Sequence, residues 1–242
     1  MVIGCNNEIT DVKYSGFTIT KVYACGGEVV YEKETPPVGF KYNFVLNDSS
    51  VVSAQCDSTT AITTSDTSSY KSSLVSAEIG DCITRINNYV FSGCISLTSV
   101  TIPTSVTFIG AFVFHECSGL TSVTIPNSVT EIDNSAFRYC TNLTSIDIPD
   151  SVTRIGNDVF ERCSGMTSCT IGSGITFIGS YPFYNCKILT SITVNATTPP
   201  IIGSGTFDYC NNCILYVPST SLDTYKAASG WSDYKWRLQA IP

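Results

Sequence analysis

The chain has 242 residues, 43% hydrophobic and 14% charged, with 13 Lys and Arg against 20 Asp and Glu and a formal net charge of -7. That is enough apolar material for a core without cross-links, and too polar a sequence to span or insert into a membrane. An isoelectric point near 4.6 and the lack of any Lys/Arg cluster count against nucleic acid and anionic lipid as partners, because both need a basic footprint.

The first residues, Met1 to Glu8, hold no basic n-region, apolar h-region or small-residue cleavage site, so nothing in them directs export. Thr18 to Ala24 and Glu28 to Tyr31 are β-rich runs around Cys25-Gly26-Gly27, which predicts a hairpin, glycine supplying the positive φ of a tight turn. Thr35-Pro36-Pro37 would lack ladder donors and marks a boundary. Residues 1–35 are therefore read as an N-terminal β-hairpin anchoring module. Residues 36–73 are read as a linker and N-terminal cap, with Phe40 to Leu46 as the capping stretch and the Ser/Thr-rich run Ser58 to Ser73 as a surface loop.

A repeat governs the rest. Phe91, Phe114, Phe137, Phe160 and Phe183 recur every 23 residues, each followed three positions later by Cys94, Cys117, Cys140, Cys163 or Cys186. Leu97-Thr-Ser-Val100-Thr-Ile102-Pro103 reappears from Leu120, Leu143, Met166 and Leu189, with a shorter copy at Leu74 to Gly80. Phe207 and Cys210 come one residue late, and Val217 restores the count from Val194. A unit this small cannot bury its own apolar side chains, so residues 74–217 are predicted to form a mostly β solenoid with one continuous core. Strand alternation sends Val100 and Ile102 inward and Ser99 and Thr101 outward. Gly110, Gly156 and Gly179 follow a second extended stretch, where the chain must turn. Residues 218–242 form a C-terminal cap: Leu222, Tyr225 and Lys226 lie on a short helix ended by Gly230, and Trp231 and Trp236 cover the last rung. An aromatic ligand platform is the alternative role for the tryptophans.

Of the 12 cysteines, those in the repeat column read as reduced, buried core residues. Cys210 and Cys213 read as core too, with a local disulfide as the alternative, and the redox state of Cys5, Cys25, Cys56, Cys82, Cys210 and Cys213 stays open. One cysteine per rung spreads thiolates apart, and His115 is the single histidine, so neither a metal nor another cofactor is expected. Asp133, Asp147, Asp150 and Asp158 form no paired geometry that the sequence establishes, and no nucleophile elbow, phosphate loop or dinucleotide fingerprint occurs. No catalytic residue is assigned.

The unit Cys117-Ser-Gly-Leu120-Thr-Ser-Val123-Thr-Ile125-Pro-Asn-Ser-Val129-Thr-Glu-Ile132, with Phe137 ahead of Cys140, resembles the leucine-rich repeats of the BspA-like family over about residues 74 to 217. The segments Ala196 to Pro200 and Tyr225 to Tyr234 are similar to the final part of such proteins from gut Bacteroides-type bacteria. The resemblance implies a curved or nearly straight solenoid for adhesion and ligand binding at a cell surface, without enzymatic activity. The run Ile19 to Glu32 is similar to short amino-terminal modules of structural proteins in phages of those bacteria, crAss-like phages included. That second likeness implies a virion protein whose residues 1–35 touch other virion proteins, presenting its repeats to a glycan or protein of the bacterial surface. The alternatives are a secreted BspA-like bacterial adhesin and a structural virion decoration without a ligand. A homo-oligomer is compatible with each.

The candidate ligand face comprises the outward columns Thr98, Thr121, Thr144, Thr167, Thr190; Ser99, Ser122, Ser145, Ser168, Ser191; and Thr101, Thr124, Asp147, Thr170, Thr193. Such hydroxyls would meet a glycan or a protein edge through many weak hydrogen bonds, and the plainer reading is a solvated strand face rich in Thr. A second outward set varies along the chain: Arg85, Phe108, Glu131, Arg154, Phe177, and Tyr89, Phe112, Ser135, Asp158, Tyr181. Phe108, Phe177 and Tyr181 are the candidate partner contacts, against packing on the neighbouring rung as the alternative.

Overall fold

The computed structural model describes residues 40–56, 60–210 and 213–242, and of the first 39 residues the backbone of five short strands. Among these, Val22–Cys25 pairs antiparallel with Glu28–Tyr31, closing on Cys25 opposite Glu28. Gly26, Gly27, the Thr35-Pro37 boundary and Ser58 lie outside the described residues.

Each 23-residue unit makes three sides of a rung. The first side is built from the Leu-Thr-Ser-Val-Thr-Ile segments. Ser99–Thr101 pairs parallel with Leu74–Ile79, and Ser145–Ile148, Ser168–Ile171, Ser191–Val194, Ile214–Val217 and Leu238–Ala240 form a five-stranded parallel sheet. The second side is a seven-stranded parallel ladder of two-residue strands, running from Ala61–Ile62 through Arg85–Ile86, Phe108–Ile109, Glu131–Ile132, Arg154–Ile155 and Phe177–Ile178 to Ile201–Ile202.

The third side has no strands, yet it is also a ladder. Tyr89, Phe91 and Gly93 donate their amides to the carbonyls of Ala111, Val113 and His115, and Phe112, Phe114 and Glu116 do the same to Asn134, Ala136 and Arg138. Aiming alternate amides at the next rung requires two residues per turn in the left-handed region. One column holds Tyr89, Phe112, Ser135, Asp158 and Tyr181 at φ 54 to 63°, and the other holds Gly93, Glu116, Tyr139, Arg162, Asn185 and Tyr209 at 58 to 78°. Each side chain held there costs about 1 kcal/mol or more relative to glycine.

The core sits between the three sides. Phe91, Phe114, Phe137, Phe160, Phe183 and Phe207 stack in one file, with centroids 5.1 to 6.3 Å apart and planes within 17° of each other. Beside them Cys117, Cys140, Cys163, Cys186 and Cys210 each point Sγ at the carbonyl oxygen of the phenylalanine one rung earlier, at 3.0 to 3.1 Å. Cysteine suits this column because it is small and apolar and carries a weak donor.

Two ends close the file. Phe40–Leu46 pairs antiparallel with Leu74–Ile79 and with Val51–Gln55, and places buried Phe44 edge-on to Phe91 at 6.0 Å. At the other end the helix Leu222–Ala227 brings Tyr225 to the Ala196 carbonyl at 2.8 Å, and Gly230 follows it at φ 79°. Trp231 packs 5.2 Å from Phe207 and donates its indole N–H to Pro200.

Several expectations are corrected. Trp231 alone of the two tryptophans covers the last rung, for Trp236 is 64% exposed beneath Arg237. Within the stretch expected to be a surface loop, Ala61–Ile62 joins the second-side ladder, and Thr67 is buried with its hydroxyl on the Val90 carbonyl. Gly110 and Gly156 owe their identity to close approach rather than to turning. A Cβ would stand 2.6 Å from Asn88 Oδ1 at Gly110, and 2.6 Å from the Asn134 amide nitrogen at Gly156. The turn itself is carried by the left-handed residues that follow. Finally, Thr121 to Ile125 forms no strand and breaks the first side into two sheets. Its residues repeat Thr98 to Ile102 letter for letter, so the break has no local sequence cause.

Phe137→Ala should lower unfolding free energy by about 3 to 5 kcal/mol in a denaturant melt, and a near-neutral shift would contradict the stacked core. Gly93 has φ 78° and nothing within 4 Å of an added Cβ. Gly93→Ala should therefore cost only about 1 kcal/mol, from backbone strain alone, whereas Gly110→Ala should cost more because it forces two rungs apart.

Candidate functional site

The three sides offer different chemistry to solvent. On the first side the predicted hydroxyl face divides in two. Thr98, Thr144, Thr167 and Thr190 donate their hydroxyls to the carbonyls of Val75, Thr121, Thr144 and Thr167 one rung back, at 2.9 to 3.4 Å. These side chains brace the ladder and have no proton left to donate to a ligand. Thr121 and the Ser99 and Thr101 columns differ: among the described residues, no hydrogen bond engages the side chains of Ser99, Ser122, Ser145, Ser168, Ser191, Thr101, Thr124, Thr170 or Thr193. Ser99, Thr101, Ser122, Thr124, Ser145 and Asp147 are exposed, while Ser168, Thr170, Ser191 and Thr193 are half-buried. The free hydroxyls recur at the rung spacing of about 4.8 Å, except across the break at 122–125, where Val123 is only half-buried.

The second side brings the variable residues into a stripe. The Arg85 guanidinium lies 4.0 Å from the centroid of Phe108. Arg154 pairs with Glu131 at 3.1 Å and lies 4.6 Å over Phe177. Both phenylalanines are half-buried beneath these arginines, so packing between rungs accounts for them. Beside Arg85, a cleft of about 500 Å³ is lined by Thr63, Thr64, Asn87, Asn88, Phe108 and Asp133. It mixes donors with acceptors, which suits a hydroxylated ligand. Tyr181, the remaining candidate contact, is 42% exposed on the third side.

Beside the Tyr181 column run two further columns that lie outside the sequence-derived candidates. Arg138, Glu161, Tyr184 and Asp208 follow the core phenylalanines by one residue, and Tyr139, Arg162, Asn185 and Tyr209 by two. The 23-residue count that located the phenylalanines also locates these, so the signal was present.

The thiols are shielded. Burial raises Cys94 to about 11 and Cys210 and Cys213 to about 12, and pushes Cys117, Cys140, Cys163, Cys169 and Cys186 well up. All eight are free and buried, so Cys210 and Cys213 are core rather than a local pair. Cys56 and Cys82 are joined in a disulfide that ties the capping strand Val51–Gln55 to the first full rung. Burial likewise lowers the pKa of His115, which sits between the rings of Phe112 and Tyr139. Among the described residues, no three His, Cys, Asp or Glu side chains are placed to hold a metal ion.

A family model described as the BspA type leucine rich repeat region matches residues 62–188 and 132–228 in six copies. The chain belongs to the BspA-type leucine-rich repeat family. Within the repeat fold, it is similar to the crystal structure of a leucine-rich repeat protein from T. pallidum, with TM-score 0.56 and 26% identity over 76% of this chain and 81% of that one. It is also similar to the pneumococcal vaccine antigen PcpA, with TM-score 0.52 and 21% identity, covering 68% of this chain and 39% of that one. No curated protein matches the sequence. Among the described residues, no helix of this BspA-type chain is long and apolar enough to cross a membrane.

Alkylation of the folded protein at pH 8 should leave the eight free thiols unmodified, since raised pKa values leave little thiolate and burial blocks access. Labelling at these eight positions, mapped by mass spectrometry, should rise only as denaturant unfolds the chain. Rapid labelling of native Cys140 would overturn the shielded column.

Proposed function

We propose that this protein is a non-enzymatic adhesin that displays its repeats outside the cell and grips a glycan or protein edge with the first side. The observation that carries this reading is the pair of columns, Ser99 to Ser191 and Thr101 to Thr193, the second interrupted by Asp147, whose hydroxyls are unengaged and in register on either side of the break at 122–125, while Thr98, Thr144, Thr167 and Thr190 beside them brace the fold. A flat array of this kind suits an extended repetitive ligand, each contact contributing on the order of 1 kcal/mol. The second-side cleft, with Arg85, Asn87, Asn88 and Asp133, would supply a more selective subsite. Membership of a repeat family that is in general non-enzymatic supports binding as the activity.

Two carriers fit. The Cys56–Cys82 disulfide favours a compartment that allows disulfides, and with it the surface of a bacterial cell. Carriage on a phage particle is the second reading. It is favoured by the hairpin of Val22–Cys25 and Glu28–Tyr31, which would dock on other virion proteins and point the repeats at a bacterial surface.

Ser122→Lys, Ser145→Lys and Ser168→Lys combined should leave the melting temperature nearly unchanged and weaken retention on intact bacteria or glycan arrays about tenfold or more. Undiminished retention by the folded triple variant would remove the first side as the gripping surface.

A further inference from the structure

The third side carries a separate pocket. Where the Phe160, Phe183 and Phe207 rungs meet, a pocket of about 470 Å³ is lined by Asp158, Glu161, Tyr181, Tyr184, Asp208 and Tyr209. That volume lies within the range of small-ligand sites. Its walls are three phenol rings: Tyr184 stands edge-on to Tyr181 with centroids 5.9 Å apart and 4.8 Å from Tyr209. The Tyr181 ring leans over Gly205, where any larger residue would collide with it. Tyr209 is 64% exposed although apolar solvation would favour covering it.

The three carboxylates in this ring of tyrosines are not equivalent. Glu161 is buried and held by Arg138 at 2.7 Å and Arg162 at 3.4 Å. Asp208 accepts the Tyr234 hydroxyl at 2.9 Å. The Asp158 carboxylate is half-buried and, among the described residues, has neither a hydrogen-bond nor an ion-pair partner. Burial, and secondarily the charge of Glu161, hold its pKa above the usual value against the opposing charge of Arg138. A half-buried carboxylate with no direct partner is stabilised by an incoming positive charge, and aromatic faces attract the same charge. A bare metal ion would need converging carboxylates, which are not assembled here.

We propose that this pocket binds an alkylammonium group, held by the faces of Tyr181, Tyr184 and Tyr209 and neutralised by Asp158. The chemistry recognised is the small alkylammonium cation itself, primary or quaternary. The site lies on a different side of the rung from the hydroxyl columns, and it neither needs nor excludes a ligand there.

The test is titration of the full-length protein, by calorimetry or NMR, with Nα-acetyl-lysine methylamide, choline, and the uncharged choline isostere 3,3-dimethylbutan-1-ol. Binding of either cation without the isostere supports the site, and the tighter of the two shows whether the primary or the quaternary form is preferred. Asp158→Asn preserves shape and tolerates the left-handed backbone, and should weaken binding about fivefold or more; so should Tyr209→Ala, at an exposed position. Equal binding of the isostere, or unchanged affinity in both folded variants, would overturn the proposal. The first-side lysine triple variant should titrate like the wild type, so this site and the hydroxyl face fail separately.

Discussion

Each turn of this protein packs and hydrogen-bonds only to the turns on either side of it, so any atom that satisfies a neighbour must recur one rung later in the same place. That requirement fixes the 23-residue count. It is met at once by the Phe91 to Phe207 stack, by thiols reaching back to phenylalanine carbonyls, and by Thr and Ser hydroxyls reaching back to backbone carbonyls such as Val75 and Ile83. Few of these contacts are strong alone. Repeated in register they leave little buried polar surface unmatched, which is the condition for a stable interior.

The parts of the fold governed by periodicity were legible in the sequence. Phe and Cys at fixed spacing gave the core file, and alternation in Leu97 to Ile102 gave the inward and outward sets. Features set by backbone geometry were not. The left-handed φ of Tyr89 or Asp158 leaves no trace in residue type, since glycine would be expected there and Tyr, Phe and Asp stand instead. Residues 61–73 look like a polar loop because Thr64 to Thr67 form a helical turn whose burial comes from the next rung. Trp236 was read with Trp231 because aromatic content alone does not say which ring finds a rung to cover.

The candidate site was legible in outline. The hydroxyl columns follow from alternation, but whether a threonine hydroxyl is free or bonded to the rung before depends on its rotamer, which no pattern of letters encodes. The first side keeps nearly uniform Thr and Ser chemistry, and the second pairs a constant column, Thr84, Thr107, Thr130, Thr153 and Thr176, with the variable Arg85 to Phe177 stripe. The third side varies at every rung. Its ladder is carried mainly by main-chain groups, helped by Asn88, Asn134 and Asn157 and by the inward thiols, so its outward positions can carry Tyr, Asp, Glu or Arg without disturbing the coil.

The gap at 122–125 carries a mechanical consequence. Where the first side is unzipped, the Phe114–Phe137 stack and the other two ladders still span the join, but one of three fastenings is missing. Under tension along its axis the rod should yield there first, parting into an amino-terminal block locked by its cystine and a carboxy-terminal block of five sheet-bonded rungs. A chain held at both ends would then stretch in two steps instead of failing as a whole.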